Sequence, residues 1–518
     1  MTDYVLAIDL GTSGPKVALV SSRGEVISPQ FEPVGLQLSP GGGAEQDPAE
    51  WWQAIGRAAR RVVQESPVPP SAVEAVSCTG QWSGTVPVGA DGQPVANAII
   101  WMDHRGAPYM AELLGGPVRI QGYDPRKVTR WIRLTAGAPT KSGKDPIGHI
   151  LYLRHERPDV YAATAVFLEP KDYINLRLTG TIAASFDSIA LHWLTDNRDP
   201  NAVTYDRRLL DIAGLEPGQL PPLRPASEVL GGLEDAAADM LGVPPGIPVL
   251  TGTPDLHSAA IGSGAIGDLA AHLYVGTSSW LGCHVAYKKT DLTHSIATLP
   301  AAVPGRYLIT NEQETAGACL DWFGGVLYPD VAESDVHERI AQEAMNAPPG
   351  SGGVIFTPWL FGERAPADDS SLRAGFFNQS LETGREHMAR AVFEGVAYNT
   401  RWLQHYVEQF TKARLDDITM VGGGARSDLW TQIFASVLDR TIRQAAEPIW
   451  VNLRGAGLLA LASLGHIEWP DVPDLVPIAN VVRPNPALRA VHDRGYETFL
   501  EIHAANRRIY DRLGRSHR

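Results

Sequence analysis

Short apolar runs, each ending in small or polar residues, recur along this chain. The first run, Tyr4–Asp9, is separated by Leu10–Pro15 from a second run, Lys16–Val20, and this spacing predicts a β-hairpin with small residues at its tip. Five later runs predict further strands, at residues 72–78, 99–101, 247–250, 271–275 and 418–421.

Segments with helical signals alternate with these strands. One helix is predicted to begin at Pro48, because Asp47 is a favourable N-cap and Glu50, three residues later, can complete a capping box. Further helices are predicted near residues 147–155, 316–323, 383–410, 427–438 and 486–518. Strands that alternate with helices indicate an α/β fold.

The length and charge of the chain restrict its class. Its 518 residues are enough for two or three domains. The formal net charge of −14 argues against nucleic acid or an anionic membrane as the main partner, although backbone N–H groups can still bind a phosphate. No run of about 18 apolar residues predicts a membrane span, and the N-terminus lacks the basic start of a signal peptide.

Three cysteines, Cys78, Cys283 and Cys319, are far apart in the sequence. Neither a disulfide framework nor a zinc-binding pattern fits their number and spacing. The simplest expectation is a protein of the reducing cytoplasm.

A candidate catalytic carboxylate follows the predicted strand at 247–250. Gly252 and Pro254 end that strand and leave Asp255 at its carboxyl end, where ligands collect in open α/β sheets. A carboxylate in this position can accept the proton of a substrate hydroxyl during phosphoryl transfer. The alternative is that Asp255 only caps a helix that starts at Leu256.

Two similar turns are candidate phosphate sites. Gly11–Ser13 lies at the tip of the first hairpin, and Gly276–Ser278 follows the run at 271–275 in the same strand context. Small residues leave backbone N–H groups and hydroxyls free to reach a phosphate. The repeated turn suggests a duplication in which each half begins with the same hairpin. A plain surface hairpin is the alternative, and the spacing of a Walker A loop is absent.

A triple glycine is the candidate nucleotide seat. Gly422–Ala425 follows the predicted strand at 418–421, and Ser427 is positioned to cap the next helix, so no side chain would obstruct a base or ribose. A simple packing turn is the alternative. The literal Gly-x-Gly-x-x-Gly at 262–267 is not interpreted as a dinucleotide site, because no strand precedes it; we expect close backbone packing there.

Polar side chains also follow two predicted strands of the first half. Gln81 and Trp82 come after one strand, and Asp103 and Arg105 come after the next. Polar groups gathered at strand ends suit the recognition of a polyhydroxylated molecule. Loop capping combined with a surface salt bridge is the alternative.

Seven motifs in this order resemble the FGGY family of carbohydrate kinases. They are Asp9-x-Gly-Thr-Ser-x-x-Lys16, Gly80-Gln81, Trp101-x-Asp-x-Arg105, Gly252-x-x-Asp255, Gly276-Thr-Ser278, Gly362-Glu-Arg364 and Gly422-Gly-Gly-Ala-x-Ser427. Glu169-Pro-Lys-Asp-Tyr173 and Leu178-Thr-Gly180 most resemble the xylulokinase branch. The similarity covers nearly the whole chain.

The resemblance implies an α/β protein with the two-lobed actin/Hsp70/sugar-kinase ATPase fold, built from two ribonuclease H-like domains. Residues 1–262 would form an N-terminal lobe that binds the sugar and carries the first phosphate hairpin and the catalytic aspartate. Residues 263–480 would form a C-terminal lobe that binds the nucleotide, and residues 481–518 a helical extension. ATP and sugar would meet in the cleft between the lobes.

The resemblance also implies roles for single residues. Asp255 matches the catalytic base, and Asp9 together with Asp255 matches the acids that hold Mg²⁺. The residues implied in binding ATP and its phosphates are Gly11, Thr12, Ser13, Lys16, Gly276, Thr277, Ser278, Gly317, Gly422, Gly423, Gly424, Ala425 and Ser427. Those implied in binding the sugar are Gln81, Trp82, Asp103, Arg105, Asp255 and Leu256. ATP and Mg²⁺ are thus the expected cofactors.

Three places depart from the pattern of many xylulokinases. Gln81-Trp82-Ser83 replaces Gln-Met-His, Asp255-Leu256 replaces Asp-Asn, and Pro146-Ile147 replaces Pro-Lys. Sites that hydrogen-bond a hydroxyl discriminate by a factor on the order of 10⁴ or more, so we expect these changes to alter the sugar preference. The ring of Trp82 is expected to stack on a sugar while its N–H donates one hydrogen bond to it.

The expected activity is ATP-dependent phosphorylation of a sugar hydroxyl, with D-xylulose to its 5-phosphate as the leading candidate. Ribulose, a tetrulose or a pentitol are alternative substrates. A non-catalytic nucleotide-binding switch or scaffold on the actin-like fold would not need the polar clusters at Gln81 and Asp103. An inactive relative with a regulatory sugar site would not need both Asp9 and Asp255. The expected partners are therefore ATP and a small sugar or polyol, and a homodimer stays open.

Overall fold

The computed structural model describes residues 3–120, 122–332 and 334–515. In the first half the strands are β1 (Tyr4–Gly11), β2 (Gly14–Ser21), β3 (Val26–Phe31), β4 (Gln37–Ser39), β5 (Gly43–Gln46), β6 (Val73–Gly80), β7 (Val86–Val88), β8 (Ala98–Ile99), β9 (Val166–Leu168), β10 (Ala184–Ser185), β11 (Thr195–Asp196), β12 (Thr204–Tyr205), β13 (Leu223–Arg224), β14 (Val229–Gly232) and β15 (Pro248–Leu250). The helices of this half are α1 (Pro48–Glu65), α2 (Ala107–Leu114), α3 (Pro125–Thr135), α4 (Pro146–Glu156), α5 (Pro158–Ala163), α6 (Pro170–Thr179), α7 (Arg207–Ala213), α8 (Asp235–Leu241) and α9 (Asp255–Gly262).

The second half has fewer strands and longer helices. Its strands are β16 (Ala271–Val275), β17 (Ser279–Val285), β18 (Thr290–Asp291), β19 (Ile296–Pro300), β20 (Tyr307–Thr310), β21 (Ile355–Thr357), β22 (Gly375–Phe377), β23 (Asp417–Val421), β24 (Thr441–Ala445) and β25 (Ile478–Val482). Its helices are α10 (Gly317–Leu327), α11 (Val336–Ala344), α12 (Arg385–Thr411), α13 (Asp428–Leu438), α14 (Val451–Ser463), α15 (Val472–Leu475) and α16 (Arg489–Arg515).

Two large sheets share one central arrangement. The first has the strand order β14-β15-β6-β1-β2-β3, and the second β18-β19-β20-β17-β16-β23-β24-β25. In each sheet an antiparallel hairpin, β1–β2 or β16–β17, is continued by two strands parallel to its first strand, β6 and β15 or β23 and β24. The predicted α/β class and both predicted hairpins are confirmed, and the two halves repeat the same core.

Helices α9 and α14 cross between the sheets, and each contacts the sheet of the other half. Leu453 and Ala456 of α14 belong to an apolar cluster with residues of β1 and β2. Ala259 of α9 belongs to a cluster with Trp280 of β17 and Val421 of β23. The lobes are therefore joined by buried helices as well as by the chain that connects them.

Glycines allow these two helices to touch. A Cβ on Gly262 would lie 1.9 Å from the carbonyl oxygen of Val451, and a Cβ on Gly455 would lie 1.9 Å from that of Ser258. Real Cβ atoms cannot approach a carbonyl oxygen so closely, so both positions need glycine. The close backbone packing predicted around 262–267 is confirmed at Gly262.

Two predicted elements differ in extent from the observed ones. The strand predicted at 99–101 is only Ala98–Ile99, and Trp101 already lies in a turn. The C-terminal segment forms a short 3₁₀ turn followed by α16, which packs on α12, α13 and β21; residues 516–518 lie outside the described residues. Over the described ranges, no helix has both the length and the apolar character needed to cross a membrane.

Candidate active site

Two carboxylates lie at the carboxyl ends of parallel strands in the first sheet. Asp9 is near the end of β1, and Asp255 is the first residue of α9, shortly after β15. Gly252 makes the intervening turn: its φ is +71°, and a Cβ there would lie 2.2 Å from the Cys78 carbonyl oxygen. Glycine thus lets the chain turn close to β6 and bring Asp255 to the edge where such sheets bind ligands.

Asp255 lies at the helix terminus without being the N-cap. Pro254 is the N-cap of α9, and Asp255 Oδ1 accepts a hydrogen bond from the N–H of Leu256 at 2.8 Å. The alternative interpretation, in which Asp255 only caps a helix that starts at Leu256, is therefore wrong, because Asp255 is itself the first residue of α9. Asp255 is partly exposed.

The environment of Asp255 raises its pKa to about 7. Burial makes the largest contribution, and the negative charge of Asp9 adds to it; Glu312 acts in the same direction, whereas the Leu256 N–H and Lys16 oppose the shift. A carboxylate that titrates near neutrality is well matched to the work of a general base, because both of its protonation states are accessible at physiological pH.

Asp9 has one engaged oxygen and one free oxygen. Lys16 faces it across the hairpin, with Nζ 3.3 Å from Asp9 Oδ2, and the Asp9 charge raises the pKa of Lys16. Asp9 Oδ1 is buried and has no hydrogen-bond partner among the residues that the structure describes. An unpaired buried carboxylate oxygen is costly, so this atom is a candidate cation ligand.

A hydrogen-bond network holds the first turn. Trp101 Nε1 donates to Thr12 Oγ1 at 2.9 Å, and Gln46 Nε2 donates to the Thr12 carbonyl oxygen at 2.8 Å. Gln81 Nε2 donates to Gln46 Oε1 at 2.9 Å, and Thr12 Oγ1 lies 3.5 Å from Gln81 Oε1. The predicted phosphate residue Thr12 and the predicted sugar residue Gln81 are thus brought together, while Ser13 is exposed at the tip.

The second turn and the triple glycine meet at the edge of the second sheet. Gly317 N–H donates to the Gly276 carbonyl oxygen at 2.8 Å, and a Cβ on Gly317 would lie 2.5 Å from that oxygen. A Cβ on Gly422 would lie 2.6 Å from the carbonyl oxygen of Val275. A Cβ on Gly423, in contrast, would meet no described heavy atom within 4 Å. Gly423 therefore borders open space, whereas Gly317 and Gly422 are required for close packing of the backbone.

The other residues of this group have local roles as well. Thr277 is exposed at its turn, next to Ser278, whose carbonyl oxygen accepts the Gly276 N–H at 2.9 Å. Ser427 is the N-cap of α13 and accepts from the N–H of Trp430 at 3.2 Å, as predicted. Gly424 and Ala425 lie in the loop between β23 and α13. Gly424 packs against Val275, and Ala425 is buried.

Asp103 and Arg105 lie together and engage each other. Arg105 Nε donates to Asp103 Oδ2 at 2.8 Å, and Ala44 N–H donates to the same oxygen at 2.9 Å. The remaining guanidinium nitrogens contact Glu45 Oε1 at 2.6 Å and Tyr152 Oη at 3.0 Å. This partly buried ion-pair network shapes the loop after β8. Both predicted sugar residues, Asp103 and Arg105, already have partners in it.

Trp82 and Leu256 belong mainly to apolar packing. Trp82 Nε1 donates to the Ser188 carbonyl oxygen at 2.8 Å, so the expectation that this N–H serves a sugar is wrong. The indole is edge-on to His257, with ring centroids 5.3 Å apart. Leu256 packs both on the first-half cluster that contains Trp82 and on the junction cluster that contains Trp280. It therefore lies between the two lobes.

A charged cluster from the second half faces these residues. Arg364 pairs with Glu312 and, at 2.8 Å, with Glu314. Lys144 of the first half reaches across to within 3.9 Å of Glu314 Oε2. Burial raises the pKa of neighbouring Glu363 to about 8, and its Oε1 accepts the N–H groups of Glu314 and Arg364, so it organises both loops.

Comparison with known proteins gives the family. Models of the N-terminal and C-terminal domains of FGGY carbohydrate kinases match residues 4–262 and 271–464. The chain belongs to the FGGY family of carbohydrate kinases. The predicted resemblance is thereby confirmed.

Relatives of this FGGY kinase differ in their named sugar. It is 28% identical over 513 residues to the xylulose kinase of Staphylococcus epidermidis, with 98% of each chain covered. It is also 26% identical over 485 residues to the gluconokinase of Bacillus subtilis, covering 92% of this chain and 91% of that one. The ligand-bound xylulose kinase of Lactobacillus acidophilus superposes with a TM-score of 0.85 at 24% identity, covering 99% of this chain and 100% of that one. The predicted two-lobed sugar-kinase fold is confirmed.

Sequence reasoning missed several residues around the site of this FGGY kinase. Gln46 links the first turn to Gln81, and Glu312 raises the pKa of Asp255. Neither Gln46 nor Glu312 belongs to a recognisable local sequence motif. Only the folding of the chain brings these two residues to the site. The motif Gly362-Glu-Arg364 was the one available signal for the charged cluster.

Proposed function

We propose that this FGGY kinase transfers the γ-phosphoryl group of ATP to a hydroxyl of a ketopentose, with D-xylulose as the first candidate and xylulose 5-phosphate as the product. The observation that carries the proposal is the Asp255 carboxylate, whose pKa of about 7 suits a proton acceptor at the edge of the first sheet. The xylulose kinases that align with nearly the whole chain support the choice of sugar.

The proposed step is an in-line displacement at phosphorus. The sugar hydroxyl oxygen bonds to the γ-phosphorus as the bond to the β–γ bridging oxygen breaks, and that electron pair leaves on ADP. Asp255 accepts the proton of the attacking hydroxyl. In this role Asp255 must be ionised before the reaction and is protonated after it.

Asp9 fits the metal that such a reaction uses. Its buried Oδ1 is unpaired over the described ranges, and carboxylate oxygens are the ligands that Mg²⁺ prefers. We propose that Asp9, with Asp255 nearby, holds Mg²⁺, which when bound offsets phosphate charge and fixes the phosphates for attack. Lys16 holds the other Asp9 oxygen in place.

The nucleotide is proposed to lie along the second sheet. The open space beside Gly423 supports a seat for the adenosine, with Gly317, Gly422, Gly424, Ala425 and Ser427 forming its frame. The turns Gly11–Ser13 and Gly276–Ser278, together with Lys16, are proposed to surround the phosphates. Backbone N–H groups at such turns bind anions without any net positive charge on the protein.

The sugar is proposed to contact Gln81 and Asp255 directly. Trp82 and Leu256 would form the apolar wall, and Asp103 with Arg105 would support the neighbouring loop through their ion pair. Gluconokinase similarity makes a sugar acid the second candidate, and ribulose, tetruloses and pentitols follow. We expect the enzyme to act in the cytoplasm.

The test is a coupled assay of ADP formation from MgATP across pentuloses, tetruloses, hexuloses, pentitols and gluconate. We expect the largest kcat/KM with D-xylulose. In Asp255→Asn, kcat should fall at least about 10²-fold, the low end of general-base contributions, while the Kd for metal-free ADP stays the same. The matched control is Asp239→Asn, which changes an exposed aspartate on α8 and should leave both values unchanged.

The outcomes separate the alternatives. A nucleotide-binding switch or scaffold would hydrolyse ATP at a rate that no sugar or polyol increases. An Asp255→Asn variant with full activity would remove Asp255 from its role but leave the kinase activity standing. A clear preference for gluconate would keep the mechanism and replace the substrate.

A further inference from the structure

Tyr274 lies near the end of β16, just before the second phosphate turn, and its ring is fixed. It faces Trp280 across the β16–β17 hairpin, and the two rings stack with centroids 3.9 Å apart and planes 1° apart. Trp280 is buried, and its Nε1 donates to His272 Nε2 at 3.2 Å. Because the tryptophan is itself held in place, the tyrosine ring has a defined orientation.

The hydroxyl end of this ring lies against the turn. A Cβ on Gly276 would meet Tyr274 Cε1 at 2.6 Å and Tyr274 Oη at 3.1 Å. Gly276 must therefore lack a side chain because the phenol takes that space. Tyr274 and Gly276 are both partly exposed.

The charges around the phenol belong to the proposed reaction site. Lys16, Asp9 and Asp255 all influence its ionisation, and burial raises the pKa of Tyr274 above its usual value. The hydroxyl therefore keeps its proton at neutral pH. The side chain is partly exposed, so the hydroxyl can reach a ligand. A protonated donor therefore lies beside the second phosphate turn.

We propose that the Tyr274 hydroxyl donates a hydrogen bond to an oxygen of the phosphoryl group during its transfer. The inference rests on the proposed kinase function and assigns a further catalytic residue to it. Charge spreads over the three equatorial oxygens of the phosphoryl group during transfer, and fixed donors aimed there stabilise the transition state. Tyr274 gives up no proton and forms no covalent bond in this role.

A purely structural role makes a different prediction. If Tyr274 only packs on Trp280 and fills the space beside Gly276, phenylalanine would serve equally well, since it keeps the ring and the stack. The hydroxyl alone distinguishes the two roles. Tyr274→Phe is thus the decisive variant.

In Tyr274→Phe we expect kcat to fall about 10-fold to 100-fold, the range for losing one hydrogen bond to a charged group. The KM values for MgATP and D-xylulose and the melting temperature should stay within error. The affinity for MgADP should also be unchanged, whereas that for ADP with aluminium fluoride and D-xylulose, a mimic of the transferring group, should fall by the same factor as kcat. Tyr287→Phe, at an exposed tyrosine, is the control and should change nothing.

Three results would overturn the inference: a kcat within twofold of wild type, a loss confined to KM, or a loss explained by a lower melting temperature. A wild-type enzyme that phosphorylates no sugar would instead refute the proposed function. The rates at which the wild type and Tyr274→Phe hydrolyse MgATP with water would then be compared in place of kcat. Should Tyr274→Phe not fold, 3-fluorotyrosine at position 274 gives a second test. Its ¹⁹F resonance should shift with the aluminium fluoride complex and not with MgADP alone, and an unchanged resonance would overturn the inference.

Discussion

At the scale of single residues, the site depends on where charges lie relative to one carboxyl group. Asp255 could be singled out from the sequence because glycine and proline end the preceding strand. Its pKa could not, since burial and the charges of Asp9 and Glu312 come from distant parts of the chain. The capping box predicted for α1 failed for the same kind of reason. Asp47 does cap α1 through the Ala49 N–H, but Glu50 accepts the N–H of Gly35 instead.

The raised pKa of Asp255 predicts a pH dependence. The ionised base exists above a pKa of about 7 and is lost as the pH falls through that value, so kcat/KM for the sugar should decline on the acid side near pH 7. Glu312→Gln removes a negative charge that raises this pKa, and the acid limb should therefore move to lower pH. Glu338→Gln, on the exposed side of α11, is the control and should leave the profile in place. A limb that does not move in Glu312→Gln would exclude Glu312 from tuning the base.

At the scale of elements, local sequence patterns were sufficient to predict strands and hairpins. They were insufficient to predict which helices pack against each other. The turns at Gly11 and Gly276 predicted both hairpins, because apolar runs and breakers lie next to each other in sequence. Nothing local indicates that α9 and α14 cross, since their contacts join residues nearly two hundred positions apart, as in the hydrogen bond from Ser258 Oγ to the Asn452 carbonyl oxygen. The glycines at the crossing did indicate close contact between backbones, and the prediction of close packing at Gly262 is confirmed.

The crossing predicts opposite effects for two glycine substitutions. Gly455→Ala in α14 forces a methyl group to within 1.9 Å of the Ser258 carbonyl oxygen, so the free energy of unfolding should fall by about 1–3 kcal/mol or more, the usual cost of overpacking. Gly325→Ala in α10 meets no described heavy atom within 4 Å, and it should raise that free energy by about 0.5–1 kcal/mol through helix propensity. Urea denaturation measures both. Equal stability of the two variants would contradict the packing described here.

At the scale of the whole molecule, charged and apolar side chains of the two lobes contact each other across the cleft between them. Lys144 of the first half lies 3.9 Å from Glu314 of the second, and Leu256 contacts apolar clusters of both. The sequence motifs, through their resemblance to the FGGY kinases, predicted this two-lobed arrangement. The contact made by Lys144 depends on the long segment between β8 and β15, whose sequence gave few indications of its structure.

This arrangement predicts closure on ligand binding. Rotation of the lobes about the crossing helices would exclude water from the phosphoryl group, as in other enzymes with two lobes around a cleft. Small-angle scattering should give a smaller radius of gyration with MgADP and D-xylulose together than with either ligand alone. The same radius in all states at saturating ligand would count against closure.

The exchange of α9 and α14 between the lobes also bears on how the polypeptide is made. The face formed by Ala7, Ala18 and Val20 leaves the ribosome early, but the residues that cover it, Leu453 and Ala456, are among the last hundred to be synthesised. At roughly 5–20 residues per second, translation leaves that face uncovered for tens of seconds. A nascent chain that stops at Gly262 would therefore carry an apolar surface without its cover.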